Sequence, residues 1–159
     1  RGGKMTVGIA FVLGYFVECV TAGIEHGWYA LRWRRPSKNI LEGSSKYPVA
    51  NIEKIKMKHQ LTSGNISNDK ANEVLQIAKQ CISNKEVVEP YRNNATLARN
   101  IFGAQLIFTI IYATLLDAFY TEVYWYLSLF ALLVFLGYWI HHNHVYVKYV
   151  LAEYGKSLD

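Results

Sequence analysis

Two uncharged apolar runs, Asn100 to Leu116 and Val123 to Ile140, lie almost end to end, with only Asp117 to Glu122 between them. A hydrocarbon core ~30 Å thick takes about 20 mostly apolar residues in helical form, and each run nears that length once its flanking aromatics are counted. The pair predicts a transmembrane helical hairpin. A third, less clean run begins at Met5 and continues to about Leu31, interrupted by Glu18, Glu25 and His26. Arg1 and Lys4 before an apolar core, with Val20-Thr-Ala22 as a cleavage site, resemble a secretory leader. Glu18 in mid-core and the apolar stretch beyond it favour a membrane span instead.

The expected fold class is therefore all-α, an integral membrane protein with three transmembrane helices and a basic helical region on the inner side. The expected divisions are a first span over 1–31, the basic inner region over 32–89, the hairpin over 90–144 and an inner-side tail over 145–159. Charge sets the expected orientation. Between Arg32 and Arg99, thirteen Lys and Arg stand against six Asp and Glu, and the cluster Arg32-Trp-Arg-Arg-Pro-Ser-Lys38 directly follows the first run. Basic residues mark the side that is not translocated, so this region and the C-terminus are expected on the cytoplasmic, matrix or stromal side, with the N-terminus outside. On that orientation the sequons Asn65-Ile-Ser67 and Asn94-Ala-Thr96 are chance matches.

Within 36–89 the apolar residues are too few to bury a sizeable core unaided, so this segment is expected to fold onto a membrane surface or a partner. Val49 to Leu61 has the pattern of a short basic amphipathic helix that either lies on a surface or packs on its own chain, and Lys70 to Ile82 that of a second one with Val74, Leu75, Ala78 and Ile82 on one side. Thr62 to Asp69 is the clearest turn. Ser83-Asn-Lys-Glu86 matches a capping box, and Pro90 suits the first turn of a helix running to about Tyr120.

Polar residues inside the apolar runs are the functional candidates. A carboxylate at mid-bilayer costs roughly 2.5 to 3.5 kcal/mol even on the lenient insertion scale, so Glu18 must face protein or water. Gly14, Glu18, Thr21 and Glu25 recur at helical spacing and form one stripe, and Gln105, Thr109 and Tyr112 form another. Pairing of Glu18 with Gln105 or Thr109 across a helix interface satisfies both stripes. Ala10-xxx-Gly14 and Gly23-xxx-Gly27 predict close helix approach. His141-His-Asn-His144 is the densest set of imidazoles, and with Glu25 and His26 at similar expected depth it defines a candidate transition-metal site.

The sequence holds no phosphate loop, nucleophile elbow or paired-cysteine metal knuckle. The basic region also lacks the interleaved aromatics of a nucleic-acid platform, so nucleic acid is not an expected partner. No resident cofactor is predicted. The expected function is a non-catalytic accessory or structural subunit of a multi-subunit membrane complex, its partners being other membrane subunits or copies of itself, and the lipid bilayer. The alternatives are a homo-oligomeric channel lined by the Glu18 stripe and a small membrane enzyme or metal site built on the inner-end histidines.

Overall fold

The computed structural model describes residues 14–25, 27, 35–62, 64, 66–82, 84–115 and 122–158. The opening of the first apolar run, His26, Ser83 of the capping box and most of the turn after Leu115 lie outside them. The described residues are all-helical apart from turns. Helix α1 covers 14–25, followed by α2 (Pro36–Leu41), α3 (Ile52–Lys58), α4 (Asn68–Cys81), α5 (Lys85–Leu115) and α6 (Glu122–Lys156). Two compact units result: 1–28 with 96–139, and 29–95 with 140–159. The long helices α5 and α6 each give one end to each unit.

The second unit has the conventional arrangement of a water-facing fold. Pro36 opens α2, where a missing N–H leaves no gap in the helix ladder. Gly43 closes it at φ +92°, with Gly43 N–H donating to Ile40 O and Ser44 N–H to Asn39 O, a Schellman ending that suits a residue without a Cβ. In α4 the N-cap hydroxyl of Ser67 accepts from Lys70 N–H at 3.2 Å, and Ala71, Val74, Leu75 and Ala78 fall on one buried face. That face meets Ile40, Leu41, Ile55, Ile66 and Val88 in a single core.

Val147, Val150, Leu151 and Tyr154 of α6 complete this core, each at most 3 % exposed. Their i, i+3, i+4, i+7 spacing is that of an apolar helix face. The segment 36–89 thus packs on the C-terminal end of its own chain. Gly155 permits the approach: a Cβ there would stand 3.2 Å from Asn51 Cβ and 3.4 Å from Ala50 O.

The first unit is arranged the other way round. Ala98, Phe102 and Trp139 form a small core, with the Phe102 and Trp139 rings stacked at 5.5 Å and Ile24, Leu132, Phe135 and Leu136 around them. Phe108, Ile110, Leu127, Phe130 and Leu133 are all more than half exposed. Among the described residues one helix, α6, is long and apolar enough to cross a membrane, over Trp125–Lys156, and only 11 % of its most apolar stretch is buried within the chain. Helix α5 begins at Lys85, five residues before Pro90, so the proline sits inside the helix rather than in its first turn.

Candidate functional site

The polar residues of the first unit gather in two sets. Glu18 and Glu25 are seven residues apart on α1, two helical turns, and so share a face. Opposite them on α5 stands Arg99, its Nη1 2.9 Å from Glu25 Oε2 and its Nη2 3.6 Å from Glu18 Oε1. A planar guanidinium with several N–H donors can serve two carboxylates at once, which a lysine ammonium does less well. The Arg99 side chain is 17 % exposed, Glu25 27 % and Glu18 53 %. With all three ionised the trio carries one net negative charge. Arg99 Nε and the neighbouring Asn100 Oδ1 are buried and have no hydrogen-bond partner among the described residues.

Thr21 lies between the two glutamates, 1 % exposed, its hydroxyl turned back to Val17 O at 2.8 Å and Glu18 O at 3.0 Å. Its methyl group fills the space over Gly103 of α5. A Cβ on Gly103 would overlap Thr21 Cγ2 and stand 3.2 Å from Thr21 Cβ. Close approach of α1 and α5 therefore depends on Gly103. A Cβ at Gly14, Gly23 or Gly27, the glycines of the expected small-residue pairs, would meet nothing within 4 Å among the described residues.

Gln105 and Thr109 find a different partner from the one the sequence suggested. Thr109 Oγ1 donates to Gln105 O at 2.8 Å, so the 2.8 Å contact between Thr109 Oγ1 and Ser128 Oγ has the serine as donor. Gln105 Nε2 then donates to Ser128 Oγ at 3.2 Å. Gln105 Nε2 also donates to Thr109 Oγ1 at 3.4 Å, so both hydroxyls donate and accept in a closed clamp between α5 and α6. Glu18 is not part of it, since its ion pair is with Arg99.

In the second unit the histidines meet aromatic and amide groups. Tyr47 Oη and His141 Nδ1 are 3.0 Å apart, and the Tyr47 ring stacks on His144 at 4.9 Å. His144 Nδ1 is 2.8 Å from Ile140 O, so it must carry the proton, which leaves Nε2 to accept from Asn39 Nδ2 at 3.4 Å. Burial pushes the Tyr47 phenol above its usual value, which keeps it a hydroxyl rather than a base. A shallow groove of 490 Å³ lined by Asn39, Glu42, Ser44, Lys46, Tyr47 and His144 opens beside these rings.

Of the candidate metal set, Glu25 is held by Arg99, His141 faces Tyr47, His144 is engaged at both nitrogens, and His26 lies outside the described residues. Among the described residues no group of three or more His, Cys, Asp or Glu side chains comes together as a metal would require.

The chain matches no family model, no curated protein and no solved structure. Its function must be argued from its own residues. The sequence points to neither Gly103 nor Ser128, and it places Arg99 on the inward-projecting start of a helix without a carboxylate partner, although Arg99 carries a usable signal. It is the last Lys or Arg before Lys148, at the edge of an apolar run, while Glu18 and Glu25 are acids in a run that holds no Lys or Arg.

Proposed function

We propose that the chain is a non-catalytic accessory or structural subunit of a multi-subunit integral membrane complex. In this reading the helices containing α1, the second half of α5 and the first part of α6 cross the bilayer, and the basic region and C-terminus face the cytoplasmic, matrix or stromal side. The observation that carries it is the half-exposed Glu18 carboxylate, with Tyr15 and Phe16 beside it 64 % and 55 % exposed. A carboxylate turned towards lipid costs several kcal/mol, roughly 2.5 to 3.5 on the lenient scale, so that face requires another protein helix. The buried, unpartnered Arg99 Nε and Asn100 Oδ1 next to it offer one donor and one acceptor to such a helix or to water.

Extraction in mild detergent tests the reading. The chain is expected in fixed ratio with unlike membrane proteins, and recovery as a lone monomer or homo-oligomer counts against it. The exposure of Glu18 also favours a second reading, a homo-oligomeric conduit lined by this stripe. There Glu18→Gln changes single-channel conductance in a planar bilayer, and an unaltered or absent current removes that reading.

A further inference from the structure

We propose that the groove between the end of α4, the start of α5 and α6 in the second unit binds an anionic phosphate ester. The groove has a volume of 340 Å³, and Lys79, Lys85 and Arg92 line it with Glu89 as its one carboxylate. Its apolar part is Ile82, Val88 and Val150. Small-molecule sites run from ~300 to 1,000 Å³, so this volume suits one headgroup and not a polymer.

The sequence brings the charges together in a simple way. Lys85, Val88, Glu89 and Arg92 recur at i, i+3, i+4 and i+7 and so occupy one face of α5. Lys79 arrives from the last turn of α4, its ammonium 5.7 Å from the centre of the Tyr146 ring. That aromatic surface holds a long side chain at the groove, lowering the entropy lost when it meets an anion. Arg92 supplies a fork that matches two phosphate oxygens, and the lysines act as point charges.

An internal ion pair competes with the ligand. Arg92 Nη1 and Glu89 Oε2 are 3.9 Å apart with both side chains more than half exposed, a weak contact that an incoming dianion displaces. Three cations against one carboxylate leave a net charge of +2, above an apolar floor that suits the hydrocarbon next to a phosphate.

The inference does not rest on the subunit reading, because the test uses the chain alone. Native mass spectrometry of the full chain in non-ionic detergent counts bound ligand after addition of inorganic phosphate or short-chain phosphatidic acid. One phosphate group per chain is expected. Lys85→Glu is expected to weaken binding about tenfold, the equivalent of one lost charge-assisted hydrogen bond. Because Lys85 opens α5, a glutamate there favours the helix, and an unchanged helical circular-dichroism signal separates loss of binding from unfolding. Glu89→Gln is expected to tighten binding. Retention of phosphatidic acid alone assigns the site to a lipid headgroup, and equal retention of inorganic phosphate assigns it to the phosphate itself, both supporting the proposal. No retention of either, or binding by Lys85→Glu as strong as by the unaltered chain, overturns it.

Discussion

The two units of this chain solve opposite solvation problems with the same secondary structure. In the second, Ile40, Leu41, Ile55, Val150 and Leu151 are hidden, and Lys54, Lys58, Lys70 and Glu73 lie on or near the outside. In the first, Leu127, Phe130 and Leu133 face outward while Thr21, Thr109 and Ser128 are buried. Apart from Met57 and Val87, every large exposed apolar side chain among the described residues belongs to the first unit. A helix inverted in this way has an apolar outer face that the described part of its own chain leaves uncovered. It suits a medium as apolar as leucine, where packing and polar contacts between helices hold the structure.

One substitution made in both units is the hardest test of this contrast. Leu151→Ala opens a cavity in the second unit and is expected to cost about 2 to 5 kcal/mol. Leu133→Ala, at a side chain 66 % exposed, should stay within about 0.5 kcal/mol in the purified chain. Thermal unfolding in detergent gives both values, and comparable losses would break the comparison.

Next in size is the charge cluster of the first unit. Arg99→Met removes the cation that Glu18 and Glu25 share, with an expected loss of about 1.5 to 3 kcal/mol, the range for hydrogen bonds to charged groups. A fully buried pair would lose more, but Glu18 is too exposed for that. Adding Glu25→Gln should recover part of the loss. No recovery would mean that Arg99 acts through packing alone.

A smaller effect is expected at the helix crossing. Gly103→Ala forces α1 off α5 and should cost about 1 to 3 kcal/mol, as overpacking does. Thr21→Ser removes the methyl group that the new Cβ meets, so the double variant should be more stable than Gly103→Ala alone. If it is not, the tight contact between these helices lies elsewhere.

How much of this was legible in the sequence differs between the units for a physical reason. Helical periodicity is local, and it located α4 to within two residues and marked Val74, Leu75 and Ala78 as one face. The same rule applies to Val147, Val150, Leu151 and Tyr154, but the neighbouring Tyr146 and Tyr149 read equally well as an interfacial aromatic belt. The core contribution of α6 was therefore hidden behind a second valid meaning of the same residues. The polar site of the first unit was legible as stripes and not as pairs. Glu25 and Arg99 are 74 residues apart, and nothing local says which of two facing stripes a carboxylate will meet. Gly103 carried no signal, since its use is set by a methyl group on another helix.

The smallest expected effect concerns acid, and it sharpens the contrast because the described histidines all lie in the second unit. His59 Nε2 is 2.9 Å from Tyr154 Oη, beside a tyrosine that is 1 % exposed. Burial lowers the His59 pKa below its usual 6.5, and the Lys58 and Lys70 charges lower it further against the opposing pull of Glu73. The unfolded chain therefore takes up the proton first. Stability from the neutral imidazole is complete above the unfolded value and falls as pH drops from 6.5 through the lower folded value, levelling off beneath it. His59→Gln keeps a hydrogen-bonding group for Tyr154 and removes the titration. Melting temperatures between pH 8 and pH 5 should decline more steeply for the unaltered chain than for the variant, the other histidines contributing equally to both. Parallel curves would show that charging His59 costs the folded state nothing, and the hydrogen bond to Tyr154 would then be a surface contact rather than part of the core.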